Sequence, residues 1–242
     1  MKTRQNANIR NTIIIIAALA LITAATLIFF KKSDQPLAGK NNPLAGLNIN
    51  GAQAQSYSVG TAPQRREDDK IFGSAKARLD IFVYEDYTSP FSAALADTLE
   101  KIKAESGDDL AIIVRPYFKN SPAALNAALA VDCAGAQGKW TAMRALLLAR
   151  AKNKQLIPAD FSDYASQIGL QSADFASCLT KSQKSGRIEE LASEAEAYAV
   201  QGAPTMFIGG EMILGARPYA DFVDSNGDKI IGLKNLVTEK LK

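Results

Sequence analysis

The stretch LDIFVYEDYTSPFSAALADTL, residues 79–99, contains a sharp change of hydrophobic pattern. Its first part, 79–84, is short, β-branched and aromatic, which is typical of a buried strand. Its second part begins at Ser89 and Pro90 and then places leucines at helical spacing, with the proline where the first turn of a helix tolerates it. The pattern predicts a strand, a tight turn and a helix.

A second apolar run comes after this helix and sets the fold class. Residues 110–114, LAIIV, predict another buried strand. A strand, a helix and a strand in this order indicate a parallel pair joined by a right-handed crossover. The sequence therefore predicts an α/β fold.

From residue 121 to about 201 the apolar residues recur every three to four positions, which predicts a helical subdomain inserted into the α/β fold. The predicted helices are Ala123–Ala134, Trp140–Ala151, Ala159–Ile168, Ser172–Leu179 and Ile188–Val200. Residues 205–208 and 211–214, joined by Gly209 and Gly210, predict a β-hairpin. A final helix is predicted from about Lys229 to Lys242.

Residues 12–30 carry no charge and are rich in isoleucine, alanine and leucine. A helix of this length spans about 28 Å, the thickness of the hydrocarbon layer. We expect a single transmembrane signal anchor, with a short cytoplasmic tail at 1–11 and the rest of the chain outside the cytoplasm; the flanking basic residues favour this orientation only slightly. A cleaved signal peptide, for which the sequence has no suitably placed cleavage site, and a buried core helix remain alternatives.

Residues 31–70 lack sustained apolar periodicity and are rich in Asn, Gln, Gly, Ala, Pro and Ser. Such a composition predicts a flexible linker, because it buries too little surface to offset the entropy of ordering. An extra edge strand at Leu44–Ile49 is the alternative. The globular domain is predicted at 71–242.

Composition excludes several classes of function. The 28 Lys and Arg residues nearly balance 25 Asp and Glu residues, so a nucleic-acid-binding face is not indicated. The chain has no histidine, which removes the Ser-His-Asp triad and imidazole metal ligands. Residues 224–228, DSNGD, resemble only the start of a calcium loop, since Lys229 and Asn235 break the pattern. We expect no metal and no cofactor.

Four motifs occur in the order that the DsbA-like disulfide oxidoreductases show. Residues 82–92, FVYEDYTSPFS, resemble the family's active-site segment, which normally ends in Cys-Pro-Phe-Cys. Residues 130–140, AVDCAGAQGKW, are similar to a helix junction of the family. Residues 202–210, GAPTMFIGG, resemble the cis-proline loop and hairpin, and residues 215–219, GARPY, resemble the family's segment after that hairpin. The resemblance covers 71–242 and implies a thioredoxin-like fold with an inserted helical subdomain.

The resemblance places Ser89 and Ser92 where the family has its two catalytic cysteines, around Pro90 and Phe91. It also implies a cis bond between Ala203 and Pro204, facing the start of the Ser89 helix. A serine hydroxyl is not ionised near neutral pH and forms no disulfide, so this motif cannot exchange disulfides. We expect Ser89 to cap the helix; a hydrolytic nucleophile served by Glu85, Asp86 or a lysine is the weaker alternative.

Cys133 and Cys178 are the only cysteines of the chain, and both lie in the predicted helical subdomain. In an oxidising compartment a lone pair predicts a structural disulfide. Two buried free thiols, or a displaced redox centre, are the alternatives.

The sequence leaves two functions open. The first is a redox-inactive, membrane-anchored module that binds extended peptides or unfolded protein segments near Phe91, Ala203 and Pro204. The second is a thiol-disulfide oxidoreductase in which the serines are a deliberate substitution. Other departures from the family favour natural loss, because Ser121 and Arg144 stand where members often carry histidine.

Overall fold

The structure is a computed structural model that describes residues 56–58, 62–119, 121–157, 161–182 and 187–242. The predicted anchor at 12–30 and the alternative strand Leu44–Ile49 lie outside the described residues. Within the described ranges, no helix combines the length and the apolar character needed to cross a membrane.

A six-stranded mixed sheet forms the centre of the domain, in the order β1-β6-β5-β3-β4-β2. Strands β3 and β4 run parallel, whereas the other neighbouring strands are antiparallel. The strands of this sheet are β1 Ser56–Ser58, β2 Lys70–Gly73, β3 Leu79–Glu85, β4 Leu110–Pro116, β5 Thr205–Ile208 and β6 Glu211–Leu214.

Helix α1, Pro90–Ser106, connects β3 to β4 as the sequence predicted. Side chains of β3 alternate between two apolar layers, because successive residues of a strand point to opposite faces. Ile81 and Val83 pack in the layer that contains α1, whereas Phe82 and Tyr84 pack in a smaller layer on the other face. The central strand is therefore buried on both faces, as its nearly continuous apolar sequence requires.

The inserted subdomain consists of five helices near the predicted positions. They are α2 Pro122–Gly135, α3 Trp140–Lys152, α4 Phe161–Gln167, α5 Ser172–Ser182 and α6 Arg187–Ala197. Each differs from its predicted range by a few residues at the ends. Strands β5 and β6 have the predicted limits, and both glycines of their turn have positive φ, +55° and +85°.

The chain end differs from the predicted helix over 229–242. Lys229–Ile230 form β8, which pairs with β7, Phe222–Val223, and helix α7 covers Leu233–Lys240. The helix starts late because Gly232 is extended and passes close to the backbone of Ala220. A side chain at Gly232 would lie 2.2 Å from the Ala220 carbonyl carbon.

Residues assigned to the linker also differ from the prediction. Ser56–Ser58 pair with β6 at one edge of the sheet, and residues 62–69 lie against the domain. Arg65 donates two hydrogen bonds to Asp80, and the amide of Arg66 donates to Asp69 at 2.7 Å. The polar composition that suggested a linker instead supplies charged contacts with residues distant in the chain.

Candidate functional site

The predicted site begins at the N-terminus of α1, where Ser89 caps the helix. Ser89 has an extended conformation, and its Oγ accepts hydrogen bonds from the amides of Phe91 at 3.2 Å and Ser92 at 3.4 Å. Pro90 occupies the first turn, which needs no amide donor there. The Phe91 side chain is 63% exposed. The Ser89 cap confirms the expectation from the sequence.

Ser92 lies one turn further into the helix and is fully buried. Its Oγ accepts a hydrogen bond of 3.2 Å from the amide of Asp86, in the loop that leaves β3. The Asp86 carboxylate in turn accepts hydrogen bonds from the amide and hydroxyl of Thr88. Both serine hydroxyls therefore support the backbone of the loop and the helix start.

The bond between Ala203 and Pro204 is cis, which confirms the prediction for this peptide bond. Thr205, the next residue, lies opposite Tyr84 in the register of β5 and β3. The loop to Ser89 leaves β3 directly after Glu85. The cis-proline loop and the Ser89 segment therefore lie at the same end of the neighbouring strands β3 and β5.

A buried ion pair lies beneath these strand ends and was not predicted from the sequence. Glu85 is fully buried, and its two oxygens accept hydrogen bonds of 2.8 and 2.6 Å from Arg144 of α3. Burial opposes the charge on Arg144, but the Glu85 carboxylate outweighs it and the pKa of the guanidinium is raised. Because Glu85 is held by Arg144, the structure gives no support to its suggested role as a base for Ser89.

A second buried charge network lies on the opposite face of β3. Arg115 donates to both oxygens of Asp69 at 2.8 Å and to Glu194 of α6. Glu194 also accepts hydrogen bonds from Arg66 and from the Tyr84 hydroxyl. Burial raises the pKa of Tyr84 well above its ordinary value. The sequence signal was an arginine directly after the apolar run of β4, but nothing in the sequence identified its partners.

Cys133 and Cys178 form a disulfide between α2 and α5, with Cα atoms 5.7 Å apart. The predicted pairing is confirmed. Ser182 Oγ lies 3.7 Å from each sulfur. The bridge is confined to the helical subdomain, so it fits a structural role.

The DSNGD segment forms a closed polar turn. Asp224 Oδ1 accepts hydrogen bonds from the amides of Asn226 and Asp228. Over the part of the chain that the structure describes, no three His, Cys, Asp or Glu residues cluster in a way that could hold a metal ion.

The fold defines a thioredoxin-like α/β domain with an inserted helical subdomain. Residues 65–225 match the sequence profile of the family described as Thioredoxin. Because the match covers well over half of the sequence, the chain belongs to the thioredoxin family.

Curated relatives include the Na(+)/H(+) antiporter NhaA 1 of Mycobacterium sp. strain KMS, which is 30% identical over 165 residues. The alignment covers 66% of this chain and 27% of the antiporter, so the chain spans about a quarter of that relative's length. The NhaA 1 antiporter of Mycolicibacterium gilvum strain PYR-GCK is 27% identical over 161 residues, which cover 65% of this chain and 26% of that one.

Solved structures share the fold at low sequence identity. A thioredoxin-like oxidoreductase from Silicibacter pomeroyi DSS-3 has a TM-score of 0.55 at 12% identity, covering 73% of this chain and 91% of that one. The thiol-disulfide exchange protein α-DsbA2 from Wolbachia pipientis has a TM-score of 0.54 at 16% identity, covering 72% and 85%.

Proposed function

We propose that the domain is a redox-inactive thioredoxin-fold module that binds extended peptide segments without covalent capture. The observation that carries the proposal is the helix start, where Ser89 and Ser92 take the positions that the resemblance gives to catalytic cysteines. In a disulfide oxidoreductase this helix end stabilises a thiolate. A serine hydroxyl offers neither an ionised nucleophile at neutral pH nor a second sulfur to close a disulfide.

The environment of the two serines supports a structural role for them. Ser89 Oγ accepts from the amides of Phe91 and Ser92, and Ser92 Oγ accepts from the amide of Asp86. A cap of this kind stabilises a helix by about 1 kcal/mol. The serines therefore preserve the shape of the loop after the chemistry has been lost.

Phe91 and the partly exposed Ala203, which precedes the buried Pro204, would supply the surface for binding. Phe91 exposes most of its ring beside the helix start, although large apolar side chains are usually buried in this domain. Ala203 and Pro204 precede β5 at the end of the sheet where β3 leads into the Ser89 segment. An extended peptide would place an apolar side chain against Phe91 and pair its backbone with the loop.

The binding module would be held at the membrane by residues 12–30, with the domain outside the cytoplasm. The support is the uncharged run itself. The named antiporter relatives are also consistent with a membrane setting. Alkaline extraction of membranes should leave the full chain in the pellet, and its release into the supernatant would contradict the anchor.

Thiol-disulfide exchange is the second candidate function. It is favoured by the name of the Wolbachia structure, a thiol-disulfide exchange protein of the same fold. It requires that the natural chain carry cysteines at 89 and 92, which the coding sequence of the parent gene would show directly.

Peptide binding is tested by fluorescence anisotropy of a labelled, reduced and alkylated insulin B chain added to the full chain. We expect saturable binding that Phe91→Ala weakens about fivefold or more, because the ring is the main exposed anchor. The matched control is Ile157→Ala, which removes another large exposed apolar side chain, in the segment after α3, and should change affinity less than about twofold. Absence of saturable binding would contradict the proposal.

A further inference from the structure

A cleft separate from the Ser89 site opens between α1 and α3. It has a volume of about 440 Å³. It is bounded by α1 and by Gly107 directly after α1, by α3, and by strands β2 and β4. This volume is in the range of small-molecule sites, about 300–1,000 Å³. The residues that line this α1–α3 cleft are Phe72, Ala96, Leu99, Glu100, Lys103, Ala104, Gly107, Ile112 and Arg144.

Small side chains on α1 create the space. Ala96 and Ala104 are eight positions apart and therefore lie on the same side of the helix. Phe72, Leu99 and Ile112 provide apolar walls. An apolar ring or short chain would find complementary surface in the cleft.

One wall carries a buried cation. Arg144 is only 3% exposed, and two of its nitrogens are bonded to Glu85. Its third nitrogen, Nη1, also faces Glu100, but the Glu100 oxygen is 3.9 Å away, outside hydrogen-bonding distance. Glu100 is 68% exposed at the rim, so a ligand could displace it readily.

The charges of the lining favour an anion. Lys103 and Arg144 contribute two positive charges, and Glu85, bonded to Arg144 behind the lining, offsets one of them. Glu100 at the rim offsets the other, so a ligand that displaces Glu100 meets a net charge of +1. Glu85 is sealed behind Arg144 and is not part of the lining. A cation among apolar walls is the arrangement that orients an amphiphilic anion.

We propose that the α1–α3 cleft binds a small monocarboxylate with an apolar body. Its carboxylate would accept hydrogen bonds from Arg144 Nη1, with Lys103 nearby, and its apolar body would lie against Phe72, Ala96 and Ala104. This site is independent of peptide binding at Phe91.

The chain contains its own reporter of occupancy. Trp140 is the only tryptophan of the 242 residues, and its ring contacts Phe72 edge to face with centroids 4.6 Å apart. Because Phe72 lines the cleft, a bound ligand should change the fluorescence of Trp140. Excitation at the red edge of tryptophan absorption avoids the absorbance of a phenyl ligand.

The probe is 4-phenylbutyrate, titrated into the full chain while Trp140 fluorescence is recorded. We expect a saturable change, and the uncharged 4-phenylbutyramide should bind at least about tenfold more weakly if the cation orients the ligand. Lys103→Gln should weaken binding about threefold or more, since it removes one positive charge without disturbing the buried pair. Equal affinity for the acid and the amide would overturn the proposal.

Two substitutions of α1 alanines by phenylalanine test the location of the binding site. Ala104→Phe fills the cleft and should reduce affinity at least about tenfold, whereas Ala94→Phe, at an exposed position outside the lining, should change it less than about twofold. A fluorescence change that rises without saturation, or full binding in Ala104→Phe, would overturn the proposal. Failure of peptide binding at Phe91 would leave this result unaffected.

Discussion

The two faces of strand β3 bury charge in different ways, although the residues concerned are neighbours. Glu85 points to the face with α1 and α3 and meets a single buried partner, Arg144. Tyr84 points to the other face and joins a network around Arg115 and Glu194. The first is a closed pair, whereas the second is shared among several residues.

The difference concerns what each arrangement holds together. The pair fixes α3 beneath the loop that leads to Ser89, and both partners are almost fully buried, with Glu85 at 0% and Arg144 at 3% exposure. The network connects residues 62–69, β4 and α6, and some of its members are partly exposed: Arg66 side-chain exposure is 28% and Glu194 is 12%. Loss of one member should therefore cost less in the network, where water and remaining partners can compensate.

Arg144→Met should give the largest loss of stability. It leaves the Glu85 carboxylate buried without its partner, which costs about 3–5 kcal/mol in the free energy of unfolding. Urea denaturation of the variant measures this loss. The double variant Glu85→Gln with Arg144→Met should recover a large part of it, and a single-variant loss below about 1 kcal/mol would contradict the closed-pair interpretation.

Glu194→Gln should cost less, about 1–2 kcal/mol, because Arg115 retains its bonds to Asp69. The matched control on the same helix is Glu196→Gln, whose exposed side chain pairs with Lys119 at the surface. That control should stay within about 0.5 kcal/mol of the wild type. A loss as large as that of Arg144→Met would show that the network has no redundancy.

Alkaline pH should produce the smallest change in the free energy of unfolding. Burial raises the pKa of Tyr84 on one face and of Tyr87 on the other, so folding favours their neutral forms. Their contribution is complete below about pH 10, the pKa of an unfolded tyrosine, and is lost as the pH rises above it. Between pH 10 and 11, Tyr84→Phe and Tyr87→Phe should each lose about 1 kcal/mol less stability than the wild type. Urea unfolding at both pH values measures these losses. Equal losses of stability in the wild type and in the variants would contradict the prediction.

Local pattern was sufficient to predict most of the elements. The apolar strand before Ser89, the spacing of the insertion helices and the glycine pair of the hairpin each depend on neighbouring residues, and each was predicted near its observed limits. The disulfide was predictable because the chain offers only one pairing. The cis bond at Pro204 was predictable only through resemblance to a family.

Interactions between distant charged residues could not be predicted. Glu85 and Arg144 are 59 positions apart, and Arg115 and Glu194 are 79 positions apart, so no local period connects them. Local pattern predicts a linker at 62–69 for the same reason, since the arginines of this segment and Asp69 gain partners only in the folded domain. Likewise, the final helix starts later than predicted because Gly232 approaches Ala220 closely.

The proposed lack of disulfide exchange at Ser89 and Ser92 is tested most directly by insulin reduction with the full chain. We expect wild-type turnover equal to that of a Cys133→Ser, Cys178→Ser variant, because the one disulfide lies in the helical subdomain. Ser89→Cys with Ser92→Cys should raise turnover at least about tenfold, since it supplies a thiolate at a helix start and a resolving thiol. Wild-type turnover clearly above that of the Cys133→Ser, Cys178→Ser variant would contradict redox inactivity.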